Sequence, residues 1–214
     1  MKARKVKKLD SAAPLEVNAA RIVHTRLDEL LSLAPAALAP GAAEAQHDLR
    51  IAAKRLRYVL EATEFCLGKP AQRARRRARD LQDLLGELHD CDVMLPRVQA
   101  QIEALRGADA RAVLAYAGDD ADDLDPALVA HAPNRSAYRG LELLAAHLQA
   151  RRALLFERFR RFWDAETGKG TWSKLERAAE QRLRRPSKER ASPPPQEPEP
   201  ARSAGVAEPS VSAT

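Results

Sequence analysis

The 214-residue chain reads as an all-α protein: a helical bundle of long antiparallel amphipathic helices with a basic cleft and a flexible C-terminal tail. Three observations predict it. The apolar residues are mostly Ala and Leu, and with Arg, Glu and Gln they form a set of good helix formers. The apolar positions recur at spacings of three and four rather than two. No stretch alternates in the Val-, Ile- and Thr-rich manner of a half-buried strand.

The chain divides into three parts: a basic N-terminal arm at 1–12, a helical domain at 13–184, and a tail at 185–214. The arm, MKARKVKKLDSAAP in its wider context, is cationic but no apolar segment follows it, so it does not read as a secretory signal. A first helix is expected from Pro14 to Leu33 on the repeat Val17, Ala20, Val23, Leu27, Leu30 and Leu31. Pro35, Pro40 and Gly41 are expected to break the chain. The second helix runs from Ala43 to Phe65. The third runs from Ala71 to Val98, with Pro96 marking a kink or break, and a short separate helix covers Ala108–Ala117. Five aspartates then fall between Asp119 and Asp125. They lack the spaced glycine and closing Glu of a calcium loop, so a solvated acidic loop is expected. Asn134 or Ser136 can cap a long helix over Tyr138–Ala165, and a last helix spans Trp172–Leu183. The tail is rich in Pro, Ser and Glu, lacks apolar periodicity and is expected to be disordered.

The charge is unevenly placed. Between His47 and Arg79 ten Lys/Arg face three acids, a local +7 in a chain whose total is +6. On a helix, His47, Arg50, Lys54 and Arg57 fall within a sector of about 80°, with Leu49, Ala52, Ala53, Leu56, Val59 and Leu60 broadly opposite. Glu61 stands one turn beyond Arg57 and can hold it. The third helix repeats the design, with Arg75, Arg79, Gln82, Gly86 and His89 along one side. Gly86 is costly in a helix interior and points to a close approach. Arg151 lies within the apolar face of the long C-terminal helix and Arg158 at its edge. Arg151 needs either a carboxylate, such as Asp83 or Glu87, or an anionic guest.

Guanidinium groups bind phosphate oxygens in a bidentate way and do not titrate. Cations spaced one helical turn apart suit a repeating phosphate chain, and no Gly-rich loop for a single nucleotide is present. Few aromatics are available for stacking single-stranded bases; of them only Tyr58 lies near the basic column. Nucleic acid is therefore the weaker polyanion candidate. The His47-Asp48 and His89-Asp90 dipeptides raise a third reading, an HD-type metal-dependent phosphohydrolase. The cations after His47 count against it. Cys66 and Cys91 sit inside helical patterns and read as reduced core residues, which with the absent export signal indicates the cytoplasm.

HDLRIAAKRLRYVLE followed by LQDLLGELHDCDVML resembles the CHAD family, the conserved histidine α-helical domain. Its pattern is roughly H-x-x-R-x-x-x-[KR]-R-[LM]-R and then L-G-x-x-x-D, matched by His47, Arg50, Lys54, Arg55, Arg57, Tyr58, Leu85, Gly86 and Asp90. The resemblance, expected to extend over about Pro14–Leu183, implies an all-helical, non-catalytic binder of inorganic polyphosphate associated with polyphosphate granules, with no cofactor or metal. The polyphosphate-binding set expected on this reading is His47, Arg50, Lys54, Arg55, Arg57, Tyr58, Arg75, Arg76, Arg79, His89, Arg151 and Arg158. Family members typically carry two such halves, each with its own histidine motif. This chain has one, so a homodimer that restores the second half is expected. A membrane partner is not: no apolar run is long enough to span a bilayer.

Overall fold

In the computed structural model, residues 2–118 and 122–184 are described; Asp119, Asp120 and the expected tail at 185–214 lie outside them. The described residues form a helical bundle without strands. Its helices are α1 (Leu15–Ala37), α2 (Ala43–Leu67), α3 (Lys69–Ala117), α4 (Arg135–Gly168) and α5 (Thr171–Arg184), with a 3-10 turn at Pro126–His131. None of the described helices is long and apolar enough to cross a membrane.

Cross-helix bonds fix the topology. Gln46 of α2 donates to Ala37 O at 3.2 Å, and Arg55 of α2 reaches Glu29 of α1 at 2.8 Å, so these helices are antiparallel. Arg75 of α3 meets Glu64 of α2 at 2.6 Å across the Gly68 turn. That turn has φ +68°, a left-handed conformation suited to glycine. Arg152 of α4 bonds Asp92 of α3 at 2.5 Å, and Arg106 of α3 meets Glu142 of α4 at 2.9 Å. Arg182 of α5 returns to Glu16 at the start of α1 at 3.1 Å.

The core is built mainly from Leu and Ala. Leu27, Leu30, Leu49, Leu56, Leu60, Leu81, Leu85 and Leu88 are buried, closed from above by Leu155, Phe159, Trp163 and Trp172. Ala53 and Ala78 are fully buried and share their helix flanks with the cations. Ala53 stands three residues after Arg50 and four before Arg57, and Ala78 stands likewise between Arg75 and Gln82. These spacings put each alanine on the same flank as its neighbours, where a small side chain leaves room for a close helix approach.

Several boundaries differ from the sequence expectation, each for a physical reason. α1 runs through Pro35 to Ala37, because Pro35 is exposed near the helix end and the Leu38 N–H still closes onto Ala34 O at 3.1 Å. α3 is one continuous helix through Pro96, so the separate helix at Ala108–Ala117 is its last part. Pro96 faces solvent, where water can satisfy the carbonyl it frees, and α4 lies along the helix on its other side. Asn134 occupies the position before α4 but does not cap it. Its side-chain amide instead donates to Asp109 Oδ1 at 2.8 Å.

The distal ends of α3 and α4 are joined at Asp109, which is buried and accepts from the Asn134 backbone at 3.0 Å, from the Asn134 side chain and from the Tyr138 hydroxyl. Burial pushes the Asp109 carboxyl up, but hydrogen bonds from Tyr138 and Asn134, helped by Arg135, outweigh it and hold the group below the usual range. Burial, the bond to Asp109 and its charge push the Tyr138 phenol up to about 12.

Two predictions follow from these contacts. A depressed carboxyl contributes stability above its unfolded value, and that stability is lost as pH falls through the folded one. A raised phenol contributes below its unfolded value and loses its contribution as pH rises toward about 12. Amide exchange at the α3–α4 tip should therefore quicken in acid below pH ~4 and in alkali above pH ~10. Asp109→Asn should flatten the acid limb and bring the Tyr138 ultraviolet titration below 12. At the α2–α3 seam, Ala78→Leu should cost about 1–3 kcal/mol by overpacking in chemical denaturation, with the helical circular-dichroism signal retained.

Candidate polyanion-binding groove

α2 and α3 run side by side with their predicted cation columns adjoining. The register is read from three contacts. The His47 and His89 rings lie 4.7 Å apart at 43°. Arg50 Nε lies 3.5 Å from where a Cβ on Gly86 would stand. Glu64 holds Arg75 at the turn end. Antiparallel neighbours then place Lys54 and Arg57 of α2 alongside Gln82 and Arg79 of α3.

Along this seam, polar atoms are shielded without a partner. His47 Nδ1, Arg50 Nε, Arg57 Nε and Gln82 Oε1 are buried and make no hydrogen bond. Buried polar groups are nearly always satisfied, and an orphan costs about 1–3 kcal/mol. Four of the five such side-chain atoms among the described residues lie on one seam, and three of them are nitrogens that the oxygen atoms of an anion could approach. Arg50 has no hydrogen bond or ion pair at all among the described residues. His47 does not hydrogen-bond through Nδ1 to nearby backbone, the bland role open to a histidine near a helix start.

The other predicted residues fall into distinct places. Arg57 Nη1 is held by Glu61 at 3.4 Å, the pairing expected from their spacing, and its guanidinium lies 4.5 Å from the centroid of the exposed Tyr58 ring. Lys54 is exposed, 5.8 Å from the same ring. Arg79 is exposed and loosely paired with Asp83 at 3.7 Å. Arg76 and Arg158 are exposed, and neither has an ion pair among the described residues. Arg151 takes the carboxylate alternative, bonding Glu87 at 2.8 Å on the α3–α4 side. Arg55, in the expected binding set, faces away from the column: it points to α1, where Glu29, only 2 % exposed, binds it at 2.8 Å and Arg26 at 2.6 Å. Glu29 also accepts from the Arg4 backbone N–H at 3.4 Å. The arm is accordingly tied down at Arg4, which further bonds Asp28 and, at 2.7 Å, Ser32 Oγ.

Gln82 was on the predicted face but not among the predicted ligands. Its spacing, four residues before Gly86 and seven before His89, was the available signal. Among the described residues no third metal-ligating side chain converges on His47 and His89.

The grouping of an HxxR helix with an LG helix across one seam agrees with an independent comparison: residues 2–99 match the family model of the CHAD domain. This segment is similar to the CHAD family. The match takes in the arm, α1, α2 and the proximal part of α3, and thus the whole groove; Arg151, Arg158 and the distal hairpin lie beyond it. CHAD domains are associated with polyphosphate binding. No curated protein and no solved structure matches the chain.

In this segment Gly86 has room for one methyl group, since 3.5 Å to Arg50 Nε is ordinary van der Waals contact. Gly86→Ala should therefore raise helix stability by about 0.5–1 kcal/mol. The same methyl would cover the orphan Arg50 N–H, so polyanion affinity should fall while the melting temperature rises. Calorimetry and a binding titration on the same preparation read both effects.

Proposed function

We propose that the chain binds inorganic polyphosphate, without catalysis, along the α2–α3 groove. The observation that carries this reading is the run of buried α2 nitrogens without a hydrogen bond, His47 Nδ1, Arg50 Nε and Arg57 Nε, beside Lys54, which has no ion pair among the described residues. Ten residues of helix span about 15 Å, several phosphate repeats rather than one. His47, Arg50, Lys54 and Arg57 of α2 would line one wall, and Arg79, Gln82 and His89 of α3 the other. Arg75 and Arg76 extend the positive field toward the turn. Arg151 and Arg158 contribute charge from α4 at longer range. Association with polyphosphate granules in the cytoplasm and pairing of two chains belong to the same reading.

One observation favours a second reading. Tyr58 is 49 % exposed and flanked by Arg57 and Lys54, the arrangement of a base-stacking platform within a cationic field. Single-stranded nucleic acid is its natural guest.

A competition experiment separates them. Long-chain polyphosphate should displace labelled single-stranded DNA at matched phosphate concentration, and Tyr58→Ala should leave polyphosphate affinity nearly unchanged. Arg50→Ala should weaken polyphosphate binding roughly tenfold and lower the salt slope by about one, with helicity intact. If DNA resists displacement and Tyr58→Ala abolishes binding, the nucleic-acid reading replaces this one. If the Arg50→Ala/Arg57→Ala double variant binds as before, the groove is not the site.

A further inference from the structure

Away from the groove, where α5 docks on α1, one cluster is left unexplained by polyanion binding. His24 of α1 faces Glu176 and Glu180 of α5, and one donor atom from each lies within 4.8 Å of the other two. All three side chains are half-buried. They come from two helices that meet antiparallel, and the two glutamates are one turn apart, so the cluster is a product of the docking itself. We propose that His24, Glu176 and Glu180 form a binding site for a divalent transition-metal ion of the zinc or manganese type, which clasps α5 to α1.

The spacing argues for a bridging ion. No hydrogen bond or ion pair joins these three residues, although a protonated histidine beside two carboxylates would be drawn to either. Their separation is too long for direct contact. Three donors at about 2.0–2.2 Å from one tetrahedral ion stand roughly 3.3–3.6 Å apart, somewhat closer than the 4.8 Å within which these atoms lie. Small side-chain rotations close the difference.

Charge points the same way. Carboxylates at i and i+4 on one helix repel. Here Glu180 has partial relief from Arg184 at 3.3 Å, and Glu176 has no cation partner among the described residues. A dication would neutralise both and bind the imidazole through a ring nitrogen. One imidazole with two carboxylates is a borderline donor set that suits zinc or manganese better than calcium or magnesium. Three protein ligands leave the coordination shell open. His24 also lines a cavity of about 520 Å³ with Arg4, Lys5, Lys7 and Arg21. Those cations oppose a dication on that side, and the Glu176 and Glu180 carboxylates have to offset them.

The site would bear on stability rather than on the groove. α5 is a short helix held by Trp172, Leu175 and Ala179 and by surface ion pairs such as Arg182–Glu16. A metal bound only when α1 and α5 are docked stabilises that docked state by mass action.

The test uses the full chain without an affinity tag, with zinc chloride or manganese chloride as the only additive. Calorimetric titration should show one saturable ion per chain, and the melting temperature should rise by a few degrees. Both effects should vanish in His24→Ala and in the near-isosteric Glu180→Gln. They should persist in His47→Ala, which removes the other candidate imidazole. Polyphosphate affinity should not change in Glu180→Gln. Absence of saturable binding by either metal would overturn the proposal. So would a stoichiometric response that survives His24→Ala and Glu180→Gln, or one that His47→Ala removes.

Discussion

The structure depends on how closely α2 and α3 approach, and on the register in which they do so. Ala53 and Ala78 sit on the flanks that carry the cations, and neither exposes any surface. Because these side chains end at Cβ, the arginines beside them are drawn down into the seam instead of standing clear in solvent. That is why Arg57 Nε and Arg50 Nε are shielded although their guanidinium groups remain partly accessible. A wider seam built on leucine would leave the same sequence of cations as a solvated surface, with water on every donor. The alanine-rich interface converts a basic helix face into a groove with directed donors.

Not every cation in the basic stretch serves that groove. Glu29 draws Arg55 to the far side of α2 and pairs with Arg26 of its own helix, and the arm reaches it through the Arg4 backbone. A carboxylate this buried is sustained only by several donors at once, and Glu29 has them. The cluster fixes α1 against α2, and the arm becomes part of the folded unit rather than a loose basic tether. The inclusion of the arm in the matched family segment agrees with this. The charge excess thus has two uses: residues such as Arg55 build the frame, while Arg50 and Lys54 in the groove have no ion pair among the described residues.

Sequence periodicity was enough to find the helices, the apolar faces and the two adjoining columns, because each depends on local geometry alone. It could not name the partner of a residue such as Arg55. At roughly 100° per residue, Arg55 lies well round the helix from Arg57, and only the position of Glu29 on α1 settles its partner. Proline misled for the same reason. Pro35 and Pro96 carry a local penalty, but both lie on solvent-facing sides where the freed carbonyl is not stranded, so tertiary contacts outweigh it. Asn134 has the right chemistry for a cap and spends it on Asp109, a residue 25 positions away. The His24, Glu176 and Glu180 cluster was invisible in the same way, since its members are distant in sequence and meet only because α5 folds back on α1.

Unpaired donors in the groove pose an energetic question that its chemistry can answer. Each buried N–H without a partner weakens the free protein, and adjoining cations repel one another. A carboxylate supplied by the chain would remove both costs. The framework supplies one elsewhere, for Arg55 at Glu29 and for Arg75 at Glu64. At Arg50 it does not, and the residue that faces Arg50 is a glycine, which has no side chain to offer. The cost is therefore left standing in the free state and would be recovered by an anion bound there. A single phosphate would satisfy one or two of the four orphan atoms, whose acceptor, Gln82 Oε1, also needs water or a protonated oxygen. A repeating phosphate chain lying along the seam can reach the donors in turn. Its gain then grows with the number of repeats engaged, which favours a long chain over a short one without any need for base or sugar contacts.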